Sequence, residues 1–506
     1  MSEKHRKRFD QLCAHARETA LLAAAESALE WDERTMMPTA AAEYRAEQLT
    51  LLAGMIHKRQ TAPELGEWLA ELAEGPLAAD LHSPEGTTIL QMKHDYERDV
   101  KLPQSLVEEL TRTASLGQHI WEAARPKNDF AALRPVLEKL LDLKRAEAEA
   151  VGYPETPYDA LLEDYEPGEL TSNVQRVLAE LREALVPLVA EIAESGREPD
   201  VSILARTYPL GAQEALSKRA AAAIGYEFHR GRLDVTAHPF CTELGPHDCR
   251  ITTHYDEHFL SSSLFSTLHE AGHALYDQGL PAEWYGLPPG EAASLGIHES
   301  QSRMWENMVG RSLAFWRHFF PTAQSAFPDA LGDVSLESFH FAINDVRPSL
   351  IRIEADEATY NLHILLRFEL EQAMLAGDLP VADLPGAWND KYEKYLSVRP
   401  PTDSDGVMQD IHWSEGAIGY FPTYALGNLY AAQFFEQANH DLGPLDEMFA
   451  RGEFQPLREW LRTHIHAHGR CYSAAELVQK ITGKPLSHDP LIAHLRAKLA
   501  PLYGLN

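Results

Sequence analysis

The sequence predicts a mainly α-helical protein with one small antiparallel β-sheet. Most of the chain repeats apolar residues at three- and four-residue spacing between short Pro- and Gly-bearing breaks. One stretch, residues 226–255, departs from that rhythm and alternates around β-branched residues instead.

The helical reading begins with residues 9–31, rich in Ala, Leu and Glu, and continues through 41–74, 131–152 and 171–196. Breaks fall at Met37-Pro38, Gly75-Pro76, Gly152-Tyr153-Pro154 and Glu166-Pro167-Gly168. Within 226–255, the runs Arg232–Thr236 and Arg250–His254 are the expected strands. Helices then resume to the end, interrupted most clearly at residues 399–406, RPPTDSDG. Long helices on short loops indicate helical layers. A chain of 506 residues is long enough for roughly two to four compact units. No linker marks a boundary, however, and there is no internal repeat. The expectation is one unit over 1–506, mostly helical over 1–200, with the sheet and the helices that follow it in 201–506.

Acidic residues outnumber basic ones by 76 to 45, a formal net charge of −31. That charge disfavours partners bound by bulk cationic surface, so neither nucleic acid nor an anionic membrane is expected. Four scattered cysteines, Cys13, Cys241, Cys249 and Cys471, do not form a disulfide framework. Cys241 and Cys249 are near enough in sequence to pair, but reduced thiols are expected. The opening MSEKHRKRFDQL has no apolar run of signal-peptide type, and no stretch of roughly 18 apolar residues occurs, so the expected location is cytoplasmic.

The chemistry concentrates at His269-Glu270-Ala271-Gly272-His273. On a helix, His269 and His273 project from one face and can share one ion. Glu270 is placed to take a proton from an attacking water. Serines 261–263 are N-cap candidates, Gly279 is a stop, and Leu264, Leu268, Ala271 and Leu275 form a stripe for burial. A catalytic zinc site needs a third protein ligand. Glu299, 26 residues after His273, is the favoured one, and His298 is the competitor. The residues after His273 exclude a third histidine at the nearby position that some zinc helices use.

Five further segments stand out: His238-Pro239-Phe240, Asp248–Thr252, Ile351–Asp356, Gly406–Trp413 and Gly419–Tyr424. Taken singly each reads as packing. Arg352 and Asp356, for instance, have the spacing of an intrahelical ion pair. In order and together with the metal motif, they resemble the carboxypeptidase Taq family of metallocarboxypeptidases. The resemblance extends from Trp31-Asp32 and Met37-Pro38 through Tyr158-Asp159 and Asp164–Gly168 to the C-terminal helices. It implies a neurolysin-like helical fold with the small sheet beside a deep groove, a homodimer, and removal of single C-terminal residues with broad preference and poor cleavage at proline. It also implies one divalent ion per chain, zinc or alternatively cobalt.

Residue roles follow from that chemistry. His412 and Tyr424, with Tyr420 behind them, are the expected oxyanion donors. Arg352, or alternatively Arg250, is the expected fork for the substrate's terminal carboxylate, with Asp356 orienting Arg352. The strand Asp248–Thr253 is a candidate to pair with substrate backbone. Two other functions compete with this reading. One is an oligo- or endopeptidase with the same metal centre; the other is a helical binding scaffold whose motif is vestigial.

Overall fold

The computed structural model describes residues 3–505, which divide into two compact units, each assembled from three chain segments. One unit comprises Met1–Val100, Asp200–Ile343 and Phe434–Lys484, and the other Lys101–Pro199, Asn344–Gln433 and Pro485–Asn506. Among the described residues no helix is long and apolar enough to cross a membrane.

In the first unit the expected opening helix runs Glu3–Thr35. The stretch read as one helix over 41–74 is two, Ala42–Gln60 and Pro63–Ala73. Proline drives the split: Ala62 before it is held extended (φ −61°, ψ 129°), and Pro63 starts the next helix where a missing N–H costs nothing. Phe9, Leu12, Leu65, Leu69, Leu72 and Ile89 close these helices into one core cluster.

The sheet has three strands, β1 (Leu233–Val235), β2 (Cys241–Glu243) and β3 (Cys249–Thr253), in the order β1-β3-β2. It is mixed rather than antiparallel throughout: β1 runs parallel to β3, and only β2 is antiparallel to it. The two runs expected as strands of an antiparallel sheet instead pair parallel to each other, and the short β2 between them in sequence supplies the antiparallel partner. Because β3 is central, both its edges are occupied, so it is not the strand that a substrate backbone could extend. Its end is tied to the following helix through Thr253, whose hydroxyl donates to the Ser263 carbonyl at 3.0 Å.

That helix, Leu260–Gly279, carries the His-Glu motif. The apolar stripe is as expected: Leu264, Leu268, Ala271 and Leu275 are all buried. The start is not. Phe259 occupies the N-cap, and the serines lie in the first turn, where Ser263 donates to Gln213 Oε1 at 2.6 Å. The next helix, Leu295–Arg303, is capped by Ser294 and runs into a π-helical segment, Met304–Gly310. Such wide turns recur at functional sites.

The second unit holds the expected helices as Phe130–Val151 and Thr171–Glu194. Asp159 joins two of its elements by accepting from the backbone N–H groups of Thr156 and Thr171. Residues 399–406 are loop, as expected. All four cysteines are free thiols.

Candidate metal centre

His269 and His273 lie one turn apart on the Leu260–Gly279 helix, and Glu299 approaches from the Leu295–Arg303 helix. Glu299 Oε2 is 3.7 Å from His269 Nε2 and 3.4 Å from His273 Nε2. One ligand atom from each of the three residues lies within 4.8 Å of the others. Two imidazoles and one carboxylate converging this closely fit a zinc-type divalent ion.

The approach depends on a residue that sequence reading passed over. A Cβ on Gly272 would stand 2.6 Å from the Gln301 carbonyl oxygen and 2.6 Å from Ser302 Cα. Both are backbone atoms, so only glycine at the centre of the motif lets the two helices come this near. The only clue in the sequence was a glycine inside an otherwise good helix.

Each ligand side chain is held from behind. His269 Nδ1 meets Glu306 Oε2 at 2.9 Å, and Glu306 is paired in turn with Arg303 and Arg311. Glu299 Oε1 accepts from Arg303 Nε at 2.7 Å, while Oε2 accepts from Ser302 Oγ at 3.0 Å. His298, the competing third ligand, faces away from that role: its Nε2 is 2.8 Å from Asp277 Oδ1 and its Nδ1 is 2.6 Å from His273 Nδ1. Both ring nitrogens are engaged, and the atom that converges with His269 and His273 is a carboxylate oxygen of Glu299.

Burial works against charge on His269, yet Glu299 and the Glu306 hydrogen bond outweigh it and raise its pKa to about 9. Burial and then the neighbouring His298 lower His273 to about 4. Glu306 falls to about 2 because His269 and Arg303 overcome its desolvation. Glu299 likewise stays ionised against burial, through Arg303 and His269. Glu270 is the exception. It is buried, its carboxylate has no hydrogen bond or ion pair among the described residues, and burial pushes it up to about 7 against the pull of His269.

The second unit contains another cluster of the expected residues. Ile351–Asp356 is not helical throughout: Arg352–Glu354 forms a single 3-10 turn, and Asp356 instead accepts from the backbone of Ala358 and Thr359 at the start of the next helix. The expected Arg352–Asp356 pair is therefore absent. Arg352 is oriented by Asp410, to which Nε donates at 3.0 Å and with which Nη2 is ion-paired at 2.9 Å, and by the Tyr360 hydroxyl, which accepts from Nη1 at 3.0 Å. Arg367 also binds Asp410, at 2.6 and 2.8 Å. Two guanidinium groups thus share one carboxylate. The Arg352 guanidinium lies 5.1 Å from the Tyr424 ring centre, and Tyr424 and Tyr420 hydroxyls are 3.4 Å apart. His412 packs on Tyr420 and Phe421, and its Nδ1 is buried without a hydrogen-bond partner among the described residues. Burial and the nearby Arg352 lower its pKa to about 4, although Asp410 opposes them. Arg250, in the first unit, is different: its fork is closed on Asp248 at 2.7–2.8 Å and its face rests 4.5 Å from the Trp31 ring centre.

Two imidazoles one turn apart, a free carboxylate beside the first, and a carboxylate from a second helix define a helical metallopeptidase. The model of the carboxypeptidase Taq (M32) metallopeptidase family matches residues 11–499. The chain is 49% identical over 505 residues to thermostable carboxypeptidase 1 of Thermus thermophilus, covering 98% of this chain and 99% of that one. It is 40% identical over 477 residues to carboxypeptidase 1 of Bacillus subtilis, covering 94% and 95%. Among solved structures, the M32 carboxypeptidase from Deinococcus radiodurans superposes with a TM-score of 0.95 at 42% identity, covering 98% of this chain and all of that one (100%). The Pyrococcus furiosus carboxypeptidase gives 0.94 at 35% identity, covering 98% and 99%. The chain belongs to the carboxypeptidase Taq family and is a metallocarboxypeptidase.

Proposed function

We propose that the protein releases single amino acids from the free C-terminus of peptides, with broad preference and poor cleavage at proline. His269, His273 and Glu299 hold one zinc ion, or cobalt in its place. The observation that carries this reading is the convergence of those three ligand atoms within 4.8 Å beside the free, buried carboxyl of Glu270. A divalent ion there supplies Lewis-acid activation of the scissile carbonyl and of the attacking water.

The chain's own groups do the rest. Glu270 takes the proton from water and returns it to the leaving amine; a carboxyl near 7 suits both directions of transfer. Glu306 and Arg303 hold His269 and Glu299 in register. His412 and Tyr424, with Tyr420 in support, donate to the developing oxyanion. Arg352 holds the terminal carboxylate in preference to Arg250. The Arg352–Asp410–Arg367 group carries one net positive charge, whereas Arg250 is neutralised by Asp248. The whole chain works as one catalytic unit in a cytoplasmic homodimer.

The test is incubation of the purified protein with an N-terminally blocked peptide, with and without chelator, and identification of the released product. Chelator-sensitive release of the last residue supports the proposal. Internal cleavage products support an endopeptidase, and chelator-resistant release removes the metal from the reaction.

A further inference from the structure

The two ligand imidazoles are supported in different ways. His269 Nδ1 contacts a carboxylate directly, that of Glu306 at 2.9 Å. His273 Nδ1 instead contacts another imidazole nitrogen, His298 Nδ1 at 2.6 Å, and a carboxylate appears only one step further out, Asp277 at 2.8 Å from His298 Nε2. The two ring planes are 23° from parallel with centroids 4.5 Å apart, and within that pairing the two Nδ1 atoms come to hydrogen-bonding distance. Only one proton fits between them. If His298 donates it, His273 must accept at Nδ1, and a neutral His273 then carries its proton on Nε2, the nitrogen facing Glu299. If His273 donates it, the Nε2 lone pair is free for an ion.

We infer that Asp277 decides this choice through His298. The Asp277 carboxylate can only accept, so in a neutral His298 it holds the single ring proton on Nε2. His298 Nδ1 is then an acceptor, His273 must donate from Nδ1, and His273 Nε2 is left open as a ligand. Asp277 and His298 are positioning residues: neither contacts the ion, and together they set the tautomer of one that does. Asp277 lies one turn beyond His273 on the same helix, so this helix carries both a ligand and the group that sets the ligand's protonation. The inference rests on the proposed ligand set and adds two residues to it.

The test is a double-mutant cycle on metal affinity, measured by chelator competition with zinc. It is combined with long-range ¹⁵N–¹H spectra of histidine-labelled, metal-free protein. Asp277→Asn is expected to weaken zinc binding about 10–100-fold, because an amide can donate as well as accept and no longer selects one tautomer. The spectra should show the Nε2–H form of His298 and the Nδ1–H form of His273 in the wild type, and a mixture in Asp277→Asn. In a His298→Gln background the relay is already cut, so Asp277→Asn should add less than threefold. Glu306→Gln should weaken zinc binding without changing the His298 signals. A loss for Asp277→Asn that is equal in both backgrounds, or unchanged tautomers, overturns the relay. Stoichiometric wild-type zinc that is abolished by Glu299→Ala confirms the ligand set in that event, so the relay alone fails. A wild type that binds no zinc overturns both.

Discussion

With Arg352 as the proposed anchor of the terminal carboxylate, replacing it with lysine should separate that recognition from the chemistry at the metal. A guanidinium has five N–H donors. Two of those on Arg352 are hydrogen-bonded, Nε–H to Asp410 and one Nη1–H to Tyr360, and Nη2 is ion-paired with the same Asp410 oxygen. At least one N–H remains on each terminal nitrogen, the arrangement that grips a carboxylate end-on. Lysine keeps the charge and can offer one such bond, but not the parallel pair. Losing one charge-assisted hydrogen bond and the alignment of the other costs about 2–4 kcal/mol, or roughly 30- to 1000-fold in kcat/KM on free-acid peptides. The fold should survive, because Asp410 keeps both hydrogen bonds from Arg367. The assay is a two-by-two comparison of wild type and Arg352→Lys on the same peptide as acid and as C-terminal amide. The amide should be a poor substrate throughout and lose little more. Equal losses on both substrates reject Arg352 as the anchor, and efficient wild-type cleavage of the amide points to an endopeptidase.

Glu270→Gln should retain the metal by elemental analysis yet lose nearly all turnover, since the amide cannot accept the water proton; normal turnover removes Glu270 from the reaction. His269→Ala, His273→Ala and Glu299→Ala should each lose most of the bound metal, and full occupancy in any one strikes that residue from the ligand set. Gly272→Ala should cost about 1–3 kcal/mol of stability and weaken metal binding, because its Cβ meets backbone at 2.6 Å; an unchanged melting temperature contradicts the close approach. Metal affinity should also depend on pH. His269 sits near 9 in the metal-free site and must be neutral to bind, so below pH 9 binding releases its proton and affinity falls as pH falls. Calorimetry at pH 7 in two buffers of different ionisation enthalpy should show at least one proton released, and a count of zero refutes this.

The local patterns were sufficient for the helical character, the buried stripe of the His269 helix and the identity of the three converging side chains. Three- and four-residue spacing is a property of neighbours on one chain, and it already states which face is buried and which residues share it. Strand direction was beyond it. Alternation marks a strand but carries no information about its partner, and β1 and β3 proved to be parallel neighbours with β2 completing the sheet. The support around the metal centre was equally invisible. Asp277, His298 and Glu306 make contacts of 2.6–2.9 Å that are set by how two helices pack, and that packing depends on Gly272. Arg352 was legible as a candidate, but its partner was not. The sequence offered Asp356, at the spacing of a helical pair, whereas the chain breaks into a 3-10 turn there and the fold brings Asp410 in from 58 residues away. Residue types and spacing determine what chemistry the chain can carry. Which carboxylate reaches which cation is decided only when distant segments pack, because a charge pairs with whatever the folded backbone places within hydrogen-bonding distance.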